Sequence, residues 1–291
     1  MADKSEVHQV KDSPFPYELT RPSQKFTLPR YLDEISGISY KKHNQLVCID
    51  DEKGEIYLFD IDRKKVTNRY QFGKGRDYED IALVNNTVFV LQSNGDIWQL
   101  DDFQGENPEV KKCKTFLSAR NDAEGLAFDG ESNSLLMACK GSPHPKKKNP
   151  DLKEKKAIYR FDLNTHKLSP EPCYIIDLED IADLKEHSSK IKFLSQLGRI
   201  FGVGEESDGT FQPSGVAVHP VTKDMYLISS SGKMLVVLDR KGEIKASRAL
   251  DRKMFKQPEG ICFHSEGDLF ISNEGKGGRA NILQFHYLRE N

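Results

Sequence analysis

Short apolar segments separated by polar turns follow one another along most of the chain. EIYLFD (55–60) and AIYRFD (157–162) are examples, in which isoleucine, tyrosine and phenylalanine dominate. Such residues favour extended strands, and turn residues bound the segments, as in LQSNG ending at Gly95. The pattern predicts an all-β fold built from many short strands.

One kind of apolar segment recurs five times at an interval of about 45 residues, with one interval about twice as long. In each copy a second strand ends in a polar turn closed by glycine, and a third strand follows. The first four copies also have a fourth strand. The five copies are EISGISY (34–40), DYEDIAL (77–83), DAEGLAF (122–128), QPSGVAV (212–218) and QPEGICF (257–263). Four antiparallel strands in a repeat of about 45 residues are typical of a β-propeller blade.

The repeats predict a single β-propeller domain of five blades over residues 24–291. The fifth copy reaches Asn291 before its fourth strand, and QKFTLP (24–29) precedes the first copy. This N-terminal strand is therefore predicted to complete the last blade, which closes the ring and removes an exposed sheet edge. Residues 1–23 are predicted to form a flexible N-terminal extension.

Two insertions in the third blade, at 142–155 and 179–211, explain the doubled interval. The first is rich in proline and lysine and is predicted to be a solvated loop. The second predicts an amphipathic helix that lies on the propeller, and a membrane- or partner-binding helix is the alternative. Its apolar positions at mostly helical spacing are Ile181, Leu184, Ile191, Leu194 and Leu197. A sixth blade in this interval is the alternative to the insertions.

The starts of the five repeats carry polar side chains in two columns. Alternation along a strand places the third residue of each copy and the residue two before it on the same side. The anchor column is Ser36, Glu79, Glu124, Ser214 and Glu259, and the leading column is Glu34, Asp77, Asp122, Gln212 and Gln257. All ten have an oxygen acceptor. Glycine follows the anchor in four copies, which suits innermost strands packed closely around the propeller axis.

Six of these residues are carboxylates that are predicted to converge on one end of the central channel. They must protonate in part, pair with cations or bind a metal ion, and no Lys or Arg recurs in the two columns. Oxygen-only ligands of mixed type suit calcium before magnesium. We therefore predict a calcium site formed by Glu79, Glu124, Glu259, Asp77, Asp122 and Glu34, with Ser36, Ser214, Gln212 and Gln257 lining the channel. The alternative is that the acids accept hydrogen bonds from neighbouring blades and join them.

Charge, hydropathy and cysteine usage exclude several other classes. The net charge of −2 favours neither a nucleic-acid nor an acidic-membrane partner. No apolar window is long enough to cross a membrane, and the first residues do not resemble a signal peptide. We expect a cytoplasmic location for the chain as it stands, or the periplasm or cell envelope if a signal or anchor has been trimmed. Five cysteines without C-x-x-C spacing indicate neither a disulfide framework nor a zinc site.

The repeat starts resemble the SdiA-regulated family of bacterial proteins from about Phe26 to His286. The segments that carry the resemblance are EISGISY, DDEKGEIYLFD, DYEDIAL, NDAEGLAFD, PSGVAVHP, QPEGICF and ISNEG. The resemblance implies a bacterial source and a five-bladed β-propeller with bound calcium. It also implies an N-terminal membrane segment or export signal in many members, which this sequence lacks. It supplies no catalytic residue.

Two classes of function follow. The first is a calcium-binding module for a small ligand or a protein, expected to be a monomer, with calcium either structural or in contact with the ligand. The second is a calcium-dependent hydrolase, because the blade starts are also similar to gluconolactonase-type and phytase-like propellers, where axial calcium polarises a lactone or phosphate oxygen. An enzyme needs a general base at the channel, and the histidines, including His219 and His264, fall away from the acidic starts. An acid such as Asp122 is the other candidate base. The binding module is favoured, with no catalytic residue assigned.

Overall fold

The computed structural model describes residues 15–105, 108–144, 152, 154–181 and 211–289. The elements that lie wholly within these ranges are twenty-one strands and one 3-10 helix at Arg30–Leu32, and residues 178–181 are helical. The strands are β1 (Gln24–Thr27), β2 (Ile35–Lys41), β3 (Gln45–Asp50), β4 (Glu55–Asp60), β5 (Lys65–Gln71), β6 (Tyr78–Val84), β7 (Thr87–Gln92), β8 (Ile97–Asp101), β9 (Glu109–Cys113), β10 (Ala123–Asp129), β11 (Ser134–Cys139), β12 (Lys155–Asp162), β13 (Lys167–Leu168), β14 (Tyr174–Asp177), β15 (Pro213–Val218), β16 (Met225–Ser229), β17 (Met234–Leu238), β18 (Ile244–Ala249), β19 (Pro258–Phe263), β20 (Leu269–Asn273) and β21 (Asn281–Phe285).

The strands form five antiparallel sheets, which are the five predicted blades. Blade 1 is β2–β5, blade 2 is β6–β9, blade 3 is β10–β14, blade 4 is β15–β18, and blade 5 is β19–β21 with β1. In blade 3 the outer strand is split into β13 and β14, which both pair with β12. The innermost strands β2, β6, β10, β15 and β19 contact one another in that order, and β19 contacts β2. The ring is thus closed by five blades, and the six-blade alternative is wrong.

The N-terminal strand completes the last blade, as predicted. β1 pairs with β21 in an antiparallel register that places Gln24 opposite Gln284 and Thr27 opposite Asn281. The first and last described strands therefore lie in one sheet.

Apolar packing holds the ring together at the contacts between blades. The buried apolar side chains described form five clusters, one at each blade interface. Near the axis the glycines that follow the anchor residues leave no room for a side chain. A Cβ atom on Gly215 would lie 2.4 Å from the carbonyl oxygen of Glu259 in blade 5. Glycine therefore follows the anchor residue because adjacent inner strands approach closely there.

The second part of the predicted N-terminal extension packs on the propeller. Tyr17 and Leu19 are buried in the cluster between blades 4 and 5. The Tyr17 hydroxyl donates to the carbonyl oxygen of Gly267 at 2.6 Å and lies 2.8 Å from Nε2 of His219. His219, at the end of its strand, is completely buried. Residues 1–14 lie outside the described part of the chain.

The helix predicted within 179–211 falls mostly outside the described residues. Its flanking residues Ile181 and Phe211 are both buried in the cluster between blades 3 and 4. Residues 145–151 and 153 of the first insertion are likewise outside the described ranges. Where the chain is described, no helix has the length and apolar character needed to span a membrane.

Candidate functional site at the channel mouth

Each innermost strand begins with an irregularity in its pairing at the anchor residue. The register shifts between Ile35 and Ile38 in blade 1 and between Tyr78 and Asp80 in blade 2, and blades 3, 4 and 5 shift at the same point. A β-bulge leaves the extra residue unpaired and turns its side chain away from the regular alternation. The anchor residues therefore sit on bulges, and strict alternation does not fix their direction relative to the leading column.

A third column of residues, in the turn after the second strand of each blade, lies beside the leading column. The backbone N–H of Asp51 donates to the carbonyl oxygen of Glu34 at 3.1 Å, and that of Glu274 donates to the carbonyl oxygen of Gln257 at 2.9 Å. Ser93 and Lys140 make the same bond to Asp77 and Asp122. We call this end of the ring the channel mouth, formed by the leading, anchor and turn columns. The turn column is Asp51, Ser93, Lys140, Ser230 and Glu274.

Three carboxylates from adjacent blades 1 and 5 meet at the channel mouth. Glu34, Asp51 and Glu274 each have an oxygen within 4.8 Å of the others, and among the described residues they are the one such group of three potential ligands. Only Glu34 belongs to the predicted calcium ligands. Asp51 and Glu274 were not among the predicted ligands, because they lie in the turns after the second strands and the prediction compared only the strand starts. Their sequence signal is the acidic residue in CIDDEKG and ISNEG.

The electrostatics of this group disfavour three negative charges. Burial, together with Asp50 and Glu34, raises the pKa of Asp51 to about 7. Burial, a hydrogen bond with Glu34 and the charge of Glu259 raise the pKa of Glu274 to about 8. The Oδ1 atom of Asp51 is buried and accepts no hydrogen bond from a described residue. A bound cation would both neutralise the group and supply a partner for this oxygen.

The anchor-column glutamates form a second acidic group nearer blades 2 and 3. Burial, followed by the charges of Glu124, Asp77, Asp122 and Glu259, raises the pKa of Glu79 to about 9. Glu79 therefore holds a proton at neutral pH in this arrangement.

Lys140 of the turn column partly compensates this second group. Its Nζ lies 2.5 Å from Oε1 of Glu124 and 4.0 Å from Oδ2 of Asp122. The charge of Lys140 opposes the effect of burial on Glu124, whose pKa is raised only to about 7. Burial raises the pKa of Glu259, while hydrogen bonding by Ser230 lowers it. Lys140 thus compensates part of the negative charge. It belongs to the turn column, whereas the absence of Lys and Arg was noted only for the leading and anchor columns.

Three residues at the axis join neighbouring blades directly. The hydroxyl of Ser36 donates to the carbonyl oxygen of Tyr78 at 3.1 Å, and that of Ser214 donates to the carbonyl oxygen of Pro258 at 2.8 Å. Asp80 occupies the position that is glycine in the other blades. Its Oδ2 accepts the backbone N–H of Leu126 in blade 3 at 2.7 Å, and its Oδ1 accepts that of Ile81. Ser36 and Ser214 thus join blades as donors, and the acid that joins blades as an acceptor is Asp80, which belongs to neither the leading nor the anchor column.

The remaining predicted residues lie around this acidic region. Asp77 is exposed, and Asp122 and Gln257 are half-buried. Gln212 is also half-buried, and its Oε1 accepts a hydrogen bond from the Ser231 hydroxyl at 3.3 Å.

A cavity of about 610 Å³ opens beside the acidic residues, between blades 3, 4 and 5. We call it the basic pocket because five cations line it: Lys140, Lys233, Arg252, Lys256 and Lys276. Glu124 and Glu259 are the acids in its lining. Burial and the nearby charge of Lys276 lower the pKa of Lys233. The repeat pattern does not predict the pocket, because the cations of the pocket come from loops and turns that do not repeat from blade to blade.

Comparison with solved structures supports the fold. The glutaminyl cyclase of Myxococcus xanthus is 7% identical, with a TM-score of 0.58 over 93% of this chain and 97% of that chain. The PQQ-bound aldose sugar dehydrogenase of Streptomyces coelicolor is 13% identical, with a TM-score of 0.51 over 91% of this chain and 97% of that chain. At such low identity these similarities show the fold alone.

Comparison by sequence reaches only part of the chain. The search of curated proteins finds no match. The model of the SdiA-regulated family matches residues 211–276, which cover the first two strands of blade 5 and the whole of blade 4. The resemblance predicted from the repeat starts is thus confirmed, and the chain is a five-bladed β-propeller similar over this segment to the SdiA-regulated family.

Proposed function

We propose that the protein is a calcium-binding β-propeller whose channel mouth serves as a binding module. The observation that carries the proposal is the meeting of Glu34, Asp51 and Glu274, whose ligand oxygens lie within 4.8 Å of one another. The unpartnered, buried Oδ1 of Asp51 supports it, because a buried carboxylate oxygen needs a hydrogen bond or a cation.

The donor chemistry favours calcium over other common metals. The three residues offer only carboxylate oxygens, whereas zinc prefers nitrogen and sulfur ligands. Calcium accepts irregular shells of about 6 to 8 oxygens, in which water completes the sites that the protein leaves open. A half-exposed group at the mouth suits such a mixed shell. The ion would offset the mutual repulsion that raises the pKa of Asp51 and Glu274.

Calcium titration of chelator-treated protein by calorimetry tests the proposal. Asp51→Asn and Glu274→Gln should each weaken binding by about 10-fold or more, because each removes one charged ligand. Glu52→Gln is the matched control, since Glu52 is the exposed acid next to Asp51 and does not belong to the group. Equal affinity in all four proteins, or no binding in the parent, would refute the calcium site.

A calcium-dependent hydrolase is the second candidate, and the state of Glu79 favours it. A carboxyl group with a pKa of about 9 can donate a proton at neutral pH, as a general acid must. Turnover of a lactone or a phosphate ester that needs calcium, and that Glu79→Gln abolishes without loss of calcium binding, would establish this function. Calcium binding without turnover of either substrate leaves the binding module.

A further inference from the structure

We infer that the basic pocket binds the phosphate ester of a small hydroxylated molecule. The inference names the ligand class of the binding module and in that sense rests on the proposed function. Its residues differ from the three carboxylates proposed to hold calcium, so the two can fail separately.

The first argument is the excess of positive charge in a concave site. Five cations and two carboxylates line the cavity. Lys140 is occupied by Glu124 at 2.5 Å. Lys233, Arg252, Lys256 and Lys276 form no ion pair with any residue in the described ranges. Four cations that face one cavity repel one another, and an anion in that cavity would reverse the repulsion.

The second argument is that the pocket cations are close enough to interact. The charges of Lys276 and Arg252 both act on Lys233, which is half-buried at the start of β17. Lys256 lies on the adjoining loop before β19, where a Cβ atom on Gly278 would be 3.6 Å from its Nζ. The cations therefore come from three separate loops that converge on one volume. Such convergence is typical of a binding site and differs from a solvated run of charges along one segment.

The third argument is that three of the cations are more exposed to solvent than the two acids of the pocket. Arg252, Lys256 and Lys276 are exposed, whereas Glu124 is buried and Glu259 is half-buried. An entirely anionic ligand would meet repulsion at these two acids. A ligand with an anionic head at the outer cations and hydroxyl groups toward the acids satisfies both ends, because carboxylates accept hydrogen bonds from hydroxyls.

The polar lining specifies the chemical class further. Arg252 can bind two phosphate oxygens with its planar guanidinium, and the lysines add point charges. Ser230 and Ser231 offer hydroxyl donors, and Gln212 and Gln257 offer amides that both donate and accept. A volume of about 610 Å³ is within the range of small-molecule pockets. Together these groups fit a sugar phosphate or a similar compound.

Calorimetric titration of the full chain with glucose 6-phosphate, glucose and inorganic phosphate tests the inference. We expect binding of glucose 6-phosphate with calcium removed, weaker binding of phosphate and none of glucose. Lys233→Gln and Arg252→Gln should each reduce the affinity about 10-fold, as loss of one charge-assisted hydrogen bond does. Lys253→Gln is the matched control, because Lys253 follows Arg252 and does not line the pocket. Asp51→Asn should leave this affinity unchanged.

Two kinds of result would overturn the inference. One is the absence of glucose 6-phosphate binding in a protein that still binds calcium, or binding that Lys253→Gln weakens as much as Arg252→Gln does. The other is binding to phosphatidylcholine vesicles containing phosphatidic acid, without binding to glucose 6-phosphate, which would assign the cations to a lipid phosphate. Loss of calcium binding in Asp51→Asn with intact glucose 6-phosphate binding would support both proposals.

Discussion

The channel mouth has an acidic half and a basic half, and they differ in how their charges are compensated. In the acidic half, Glu34, Asp51 and Glu274 gather with no lysine or arginine paired to them within the described structure. In the basic half, Lys233, Arg252 and Lys276 face a cavity without forming an ion pair to a described residue, although the charge of Glu259 opposes the effect of Lys276 on Lys233. Each half could have neutralised the other if their side chains had been brought together. The ring keeps most of the two charge sets apart, although Lys140 pairs with Glu124 and Glu259 lines the basic pocket.

This separation follows from the blade geometry. Leading, anchor and turn residues occupy the same positions in every blade, so the charge of a sector depends on which residues a blade carries there. Blades 1 and 5 supply acids at the turn, whereas blade 4 supplies serines and blade 3 supplies Lys140. A repeated scaffold thus yields a mouth whose charge differs from one sector to another.

Asp80→Ala is expected to have the largest effect on stability. It tests whether an acid that joins blades can be distinguished from the acids proposed to bind calcium. It removes the acceptor of the Leu126 and Ile81 backbone N–H groups and leaves them buried. The free energy of unfolding should fall by about 3 kcal/mol, measured by denaturant titration. Calcium affinity should stay the same.

The control for this change is Asp77→Ala, which truncates an exposed acid of the same strand start and should alter stability by less than about 0.5 kcal/mol. If Asp80→Ala abolished calcium binding at unchanged stability, the division into structural and ligand acids would be wrong.

Lys140→Met probes the boundary between the two halves. It removes the partner of Glu124, which is 10% exposed at its side chain. We expect a loss of about 1 to 2 kcal/mol in unfolding free energy, less than for a fully buried pair because Lys140 is 37% exposed. The acidic region also becomes more negative, so calcium should bind several-fold more tightly.

Lys155→Met provides the comparison for Lys140, because Lys155 pairs with Asp177 on the outer strand of the same blade. It should lower the free energy of unfolding less than Lys140→Met does and leave calcium affinity unchanged, because exposed ion pairs contribute little to stability. Weaker calcium binding in Lys140→Met would show that Lys140 holds the ligands in place, which contradicts the electrostatic explanation.

The last prediction is a pH dependence that arises away from the mouth, at His219. Burial lowers the pKa of this side chain to about 4. Its Nδ1 accepts the backbone N–H groups of Val221 and Thr222, which requires the neutral ring. The groups that face it are Asp224, Lys223, Tyr17, Tyr226, Phe263 and Tyr287.

Below the ordinary histidine pKa of about 6.5 the unfolded chain binds a proton on His219, whereas the folded chain does so only near pH 4. The contribution of the neutral ring to the free energy of unfolding is therefore complete above pH 6.5 and decreases as the pH falls towards 4. The loss attributable to His219 should reach about 2 kcal/mol at pH 5, measured by denaturant titration. His219→Gln should lower stability at pH 8 and remove this part of the pH dependence. An unchanged slope in the variant would place the acid sensitivity at the mouth instead.

The sequence allowed the fold to be predicted because the blades share their inner-strand pattern. Five repeat starts, the glycine after the anchor and the N-terminal strand QKFTLP were enough to predict five blades and their closure. Residues that recur in every blade follow from common packing, and such packing leaves a periodic signal.

The site was harder to predict because it is formed where the blades differ. Asp51 and Glu274 occupy one turn each in blades 1 and 5, and no other described blade has an acid there. The bulges at the strand starts also break the alternation on which the column argument relied. A comparison of the turn residues blade by blade, in addition to the strand starts, would have shown both the acids and Lys140.

The pairing of β1 with β21 has a consequence for how the protein is made. Ser23 and Gln284 are hydrogen-bonded across a separation of 261 residues, so the last blade cannot be completed until nearly all of the described chain has left the ribosome. The entropy of closing so long a loop grows only slowly with its length, but contacts this distant in sequence form late. Until then the apolar surfaces that blades 1 and 5 bury against each other face solvent, and exposed apolar surface of this kind favours aggregation of the growing chain.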